Sequence, residues 1–115
     1  MATAPLDTQL APGRAAFNRG EFFAAHELWE DVWRGLARDE RALVQGLIQI
    51  AAGLHHLQRG RPRPAARLLA RGASKLSRAP ATALPIPTLL RDITHLLTTL
   101  DTPGAAVPDP GAIRF

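Results

Sequence analysis

Seventeen consecutive residues, 42–58, carry no formal charge. Their apolar members recur at helical spacing, with Leu43, Leu47, Ile50, Leu54 and Leu57 on one face and Val44, Ile48 and Ala51 widening it. A run of this length is short for a membrane span and includes Gln45, Gln49, Gln58, His55 and His56, so it reads as the buried central helix of a water-facing protein. Opposite the leucines, Gln45, Gln49, Ala52 and His56 form a thin polar stripe, bordered by Gly46 and Gly53, where a neighbouring helix can approach closely.

The second constraint is the segment 20–33, which holds both tryptophans, two of the four phenylalanines and four of the ten acidic residues. On a helical wheel Phe22, Ala25, Leu28, Trp29, Val32 and Trp33 fill one broad apolar arc. His26 sits at the margin of that arc, and Glu30 follows one turn later as an i,i+4 partner. Glu27 and Asp31 fall on the water side.

The remaining punctuation yields an all-α fold, a compact bundle of about five helices made of two helical hairpins plus a C-terminal helix, with no sheet. Gly20 and Gly60 stop helices, Pro12 and Pro64 suit first turns, and Asp39 suits an N-cap. The expected helices span 10–19, 22–36, 40–59, 64–78 and 87–100. Residues 1–9 read as a loose N-terminus, 10–100 as one helical domain and 101–115 as a Pro/Gly-rich tail. Phe17-Asn18-Arg19-Gly20 before Ala24-Ala25 echoes Leu57-Gln58-Arg59-Gly60 before Ala65-Ala66, which suggests a duplicated hairpin.

At 115 residues the chain is one domain. It has no cysteine, which excludes disulfides and thiolate chemistry, and it begins without a basic and then apolar leader, so a cytoplasmic location is expected. The net charge of +4 is distributed unevenly. Residues 1–40 carry four bases against seven acids, 41–91 nine bases and no acid, and 92–115 one base and three acids.

A buried polar stripe needs partners, because an unpaired buried amide or imidazole costs about 1–3 kcal/mol. The two polar margins therefore predict a cluster within the core between the second and third helices, made of His26, Glu30, Gln45, Gln49 and His56 with Trp29 or Trp33 as a wall. Three readings of it stay open: a structural hydrogen-bond network, a pocket for a small polar ligand, and a divalent-metal cofactor site on His26, Glu30 and His56. His55 points away from His56 on the wheel and is left out. No catalytic motif is present, and no phosphate-binding glycine loop.

Arg63, Arg67, Arg71 and Lys75 follow at intervals of four, with Arg78 three further on, a positive stripe along the fourth helix. It reads as a solvated face or a contact for an acidic surface, such as the Glu27/Asp31 face of a second copy in a homodimer. A nucleic-acid role ranks third, because no interleaved aromatics or helix-turn-helix spacing accompany the stripe.

Residues 17–30 (Phe-Asn-Arg-Gly-Glu-Phe-Phe-Ala-Ala-His-Glu-Leu-Trp-Glu), then Gln45-Gly46-Leu47-Ile48-Gln49 and His56-Leu57-Gln58-Arg59-Gly60, resemble the prokaryotic family called domain of unknown function 309. The resemblance covers residues 14–80. It implies a small all-helical domain and gives special status to Gly20, His26, Glu27, Glu30, Trp33, Gln45, Gly46, Gln49 and His56. Where that family commonly opens its next helix with Gly-Ala, this chain has Pro64-Ala65. The resemblance carries no activity.

Overall fold

The computed structural model describes residues 4–115. Five helices follow in order: α1 (Leu6–Asn18), α2 (Phe22–Arg34), α3 (Arg38–Gln58), α4 (Pro62–Arg78) and α5 (Ile86–Leu100), then a single 3₁₀ turn, Pro110–Ala112. No strand occurs among the described residues. Each helix packs against the helix before and after it in the chain, α3 and α4 most extensively. Without long crossovers, the result is an array of antiparallel neighbours with extents of 54 × 25 × 20 Å.

The α1–α2 and α3–α4 hairpins share one turn design. Gly20 and Gly60 both adopt left-handed φ values, 78° and 71°, which end a helix without steric cost. In the first, Gly20 N–H donates to Phe17 O and Glu21 N–H to Ala16 O; in the second, Gly60 N–H donates to Leu57 O and Arg61 N–H to His56 O. Ala25 and Ala65, at matching places in the following helices, are both fully buried. The two turns also touch, since Gln58 Nε2 donates to Gly20 O at 2.9 Å.

Glycine sets the spacing of α3 and α4. A Cβ on Gly46 would lie 2.9 Å from Leu76, one on Gly53 2.7 Å from Leu69, and one on Gly72 2.8 Å from the Gly46 carbonyl oxygen. The backbones therefore meet where all three side chains are absent.

Several boundaries differ from expectation. Helix α1 begins at Leu6, so Pro12 sits in its interior and deprives the Thr8 carbonyl of its usual donor. The expected loose segment 1–9 thus becomes helical from Leu6, while residues 1–3 lie outside the described residues. Asp39 is not the cap of α3: Ala37 is, and Asp39 and Glu40 occupy the first turn, where carboxylates favour the positive end of the helix dipole. Helix α4 opens at Pro62, one turn position available to proline, with Pro64 just inside.

The core runs through Leu10, Phe17, Phe22, Trp29, Leu47, Ile50, Leu54, Leu69, Leu89 and Ile93, all nearly inaccessible to water. Its aromatic end is capped by the segment expected as a tail. The Phe115 ring meets Phe17 edge-on at 5.2 Å, Asn18 Oδ1 accepts from Phe115 N–H at 2.9 Å, and the Arg14 guanidinium lies 5.2 Å from the Phe115 ring centre. Arg14 also donates from Nε to the main-chain oxygen of Phe115 at 2.7 Å. Ile113 is buried beside them. Among the described residues, no helix is long and apolar enough to cross a membrane.

Candidate functional site: the seam between α2 and α3

The short link through Gly35, Leu36 and Ala37 makes α2 and α3 antiparallel neighbours. Phe23, His26, Glu30 and Trp33 on α2 consequently face, in reverse order, His55, His56, Ala52, Gln45 and Arg41 on α3, with Gln49 one turn after Gln45 on the same side of α3. His26, Glu30, Trp33, Gln45 and His56 line this seam, while the basic stripe lies apart on α4.

Its depth differs from expectation. His26, Glu30, Trp33, Gln45, Gln49 and His56 are all half-buried, and among the described residues no polar or charged side chain belongs to the core. The buried face of α2 is narrower than the expected arc. It centres on Trp29 with Phe22 and Ala25, because α1 packs there and the Trp29 indole Nε1 donates to Leu10 O at 3.1 Å. Leu28, at the edge of the arc away from His26, is 40% exposed. His26 and Glu30 border the opposite edge and form a half-buried surface seam.

His26 and Glu30 pair as anticipated, with Nε2 3.3 Å from Oε1. A carboxylate at that nitrogen favours a proton on Nε2, which leaves Nδ1 as an acceptor in the neutral ring. The trio His26, Glu30 and His56 does not assemble as a metal set: among the described residues no three His, Cys, Asp or Glu side chains are placed to hold a metal ion. His26 and His56 share one small cavity across the seam, while Glu30 lines a different one.

Three participants were missed. His55 turns toward α2, its ring 5.3 Å from Phe23, which in turn stacks on His26 at 6.1 Å. Arg41 lays its guanidinium over the Trp33 ring at 4.0 Å, a cation–π contact. The signal for Arg41 was available, since it stands four residues before Gln45 and extends the stripe of Gln45 and Gln49 by one turn. Phe23 stands three residues before His26, on the same side of α2.

The seam concentrates unsatisfied polarity. Among the described residues, the buried side-chain polar atoms without a hydrogen-bond partner are His26 Nδ1, Trp33 Nε1, Arg41 Nε, Gln49 Oε1 and His56 Nδ1, and all five line this one seam. Two small cavities open along it. One, of about 190 Å³, is lined by Glu30, Trp33, Arg34, Gln45 and Ile48. The other, of about 130 Å³, is lined by Phe23, His26, Ala52, His55 and His56. The local field at the second is positive: burial lowers the pKa of His55 from 6.5, and Arg59, His56, His26 and Arg61 lower it further.

A larger groove, about 910 Å³, lies elsewhere, between α4 and α5, with Ala66, Ala70, Leu97 and Leu100 among its lining and Arg63 and Arg67 on one side. It holds none of the unpartnered atoms, so its size does not make it the better candidate for a polar ligand. The predicted basic stripe does run down α4, with Arg63, Arg67, Arg71 and Arg78 exposed and Lys75 half-buried.

Comparison with known sequences bears on which of these features belong together. Residues 10–68 match the family described as Domain of unknown function (DUF309). The chain belongs to the DUF309 family. It is also 33% identical, over 73 residues, to an uncharacterized protein of Aquifex aeolicus. That alignment takes in 62% of this chain and 22% of the relative, so the chain spans about a fifth of the relative's length. No solved structure matches. The DUF309 match holds α1, α2, α3 and the opening of α4, and with them the whole seam. The basic ridge begins inside it, at Arg63 and Arg67, and continues beyond it through Arg71, Lys75 and Arg78.

Proposed function

We propose that this DUF309 domain binds a small polar ligand along the α2–α3 seam. The observation that carries this reading is the gathering, among the described residues, of five buried, unpartnered side-chain polar atoms on one seam. Each such atom costs about 1–3 kcal/mol when it goes unpaired, and a bound molecule of complementary pattern recovers that cost. Trp33 Nε1 and Arg41 Nε only donate, whereas Gln49 Oε1 only accepts. The matching ligand therefore offers acceptor oxygens toward Trp33 and Arg41 and an N–H or O–H toward Gln49. Cavities of about 190 and 130 Å³ suit a molecule of a few heavy atoms.

The two indoles supply the test. In ¹⁵N-labelled protein, Trp29 Nε1–H is held by Leu10 O and serves as an internal reference, whereas Trp33 Nε1–H is unpartnered. Titration with acetate, glycolate, glycine and inorganic phosphate is expected to move the Trp33 signal with at least one probe and leave Trp29 in place. Gln49→Leu should weaken that response. A Trp33 signal that ignores every probe, together with a Gln49→Leu protein more stable than the parent, would assign the cluster to a structural role.

A second reading rests on Phe23 and Leu28, large apolar side chains 54% and 40% exposed on the same helix as Glu27 and Asp31. They suit α2 to contact with another protein or a second copy of the chain. Light scattering of the purified protein, beside Phe23→Ser with Leu28→Ser, checks it: a defined oligomer that the double variant dissolves supports association through α2.

A further inference from the structure

The row of cations on α4 is independent of the seam. Among the described residues the ion pairs are Arg19–Glu21, His26–Glu30, Arg34–Glu30 and Arg34–Asp31, and none involves Arg63, Arg67, Arg71, Lys75 or Arg78. No acid stands anywhere from residue 41 to 91, and the two acids of the preceding helix, Asp39 and Glu40 in its first turn, make no ion pair with the row. Asp101, which lines the α4–α5 groove beside Arg63 and Arg67, makes no ion pair with them.

Such a row carries a cost in the folded protein. Like charges at i,i+4 destabilise a helix by about 0.2–0.5 kcal/mol per pair, and Arg63/Arg67, Arg67/Arg71 and Arg71/Lys75 are three such pairs in succession. A face built only for solubility intersperses both signs. Four residues also overshoot a full turn by about 40°, so the row winds around α4; Lys75 becomes half-buried and Arg78 returns to the exposed side. From Arg63 to Arg78 the ridge is about 22 Å long, with a cation every ~6 Å for most of its length.

We propose that this ridge binds the phosphodiester backbone of a nucleic-acid duplex without regard to base sequence. A duplex presents anions in a regular line, and ~22 Å of its axis covers about six base pairs. Arginine, with its fork of donors, matches phosphate oxygens. A single strand fits less well, since α4 carries no aromatic side chain on which bases would stack. An anionic membrane fits less well too, because the apolar face of α4 (Ala65, Leu69, Gly72 and Leu76) is buried and unable to enter lipid.

Fluorescence anisotropy with labelled 20-base-pair DNA and RNA duplexes, at 50 and 200 mM salt, tests the assignment. The parent is expected to bind at least one duplex at 50 mM salt with Kd on the order of 1–100 µM, and the salt slope should approach about −4. DNA and RNA arms identify which duplex is preferred. Arg67→Glu with Arg71→Glu should weaken binding about tenfold or more and shorten the slope by about two. A control of equal net charge, Arg38→Glu with Arg91→Glu, changes two exposed arginines carried by α3 and α5 rather than by α4 and should stay within about twofold of the parent. Circular dichroism keeps folding separate from binding, and the ridge variant should melt no lower than the parent, because its new Glu residues face Arg63 and Lys75 at i,i+4. Equal losses in both double variants would reduce the effect to net charge and overturn the proposal. So would an absence of duplex binding at 50 mM salt, or tighter binding to a single strand.

Discussion

The Trp29 indole occupies the space that a side chain on Gly13 would need. A Cβ at Gly13 would lie 2.3 Å from Trp29 Nε1 and 2.5 Å from Cδ1, and the ring is held there by its hydrogen bond to Leu10 O. Alanine normally improves a helix by about 1 kcal/mol over glycine. At position 13 the rigid ring cannot yield, and Gly13→Ala is expected to destabilise the protein by about 1–3 kcal/mol. Urea unfolding followed by far-UV circular dichroism reads this directly; a variant as stable as the parent would show that α1 and α2 can move apart freely.

Glycines 72 and 60 are predicted to respond for different reasons. At Gly72 a methyl group would stand 2.8 Å from the Gly46 carbonyl oxygen, a backbone atom, so α3 and α4 must separate at a cost of about 1–3 kcal/mol. At Gly60 nothing lies within 4 Å, and only the left-handed φ of 71° opposes a side chain. Gly60→Asn should therefore cost less than Gly60→Ala, whose strain is about 1–2 kcal/mol, because asparagine tolerates that conformation. Melting temperatures of the three variants test the order.

His55 gives the fold a pH dependence of defined sign. Its folded pKa lies below the unfolded value of 6.5, through burial first and then the positive charges of Arg59, His56, His26 and Arg61. The unfolded chain thus binds the proton more readily, so stability from this group is full above about pH 6.5 and declines as pH falls through that value toward the folded pKa. His55→Gln should make the loss of stability between pH 7.5 and 5 shallower. Urea midpoints at both pH values, compared between parent and variant, measure it, and identical slopes would contradict it.

Phe115→Ala should cost about 3 kcal/mol, since the ring packs against both Phe17 and Trp29 and is nearly buried. Near-UV circular dichroism should lose intensity in the tryptophan region while the far-UV signal stays close to that of the parent, because no helix contains Phe115.

The helices were legible because their ends are local events. Gly20 and Gly60 stop α1 and α3 through the φ values that only their own backbones must satisfy. The membership of the seam was legible as well, since His26, Glu30, Gln45, Gln49 and His56 are set by spacing along two helices. Its depth was not. How far the α2 face is buried on either side of Trp29 depends on what covers it, and the cover is α1, with Phe115 against Trp29. Residues 101–115 show the same limit: Pro108, Pro110 and Gly111 describe a segment without regular structure, while the docking of Ile113 and Phe115 is decided by an aromatic surface that other helices build. Arg41 was overlooked because it lies just before the uncharged run, although its guanidinium reaches back over Trp33.

The packing of each helix on its chain neighbours also says how such a molecule comes together. Contacts close in sequence need little loop closure, which favours folding on the microsecond-to-millisecond scale. The contacts that break this pattern are those of Phe115, whose hydrogen bonds join residues 97 and 101 positions apart. Their entropic cost is met only after Phe17 and Trp29 have formed a surface to receive the ring. Phe115→Ala should accordingly accelerate unfolding and leave the refolding rate almost unchanged, marking this ring as a latch that closes behind an already assembled array.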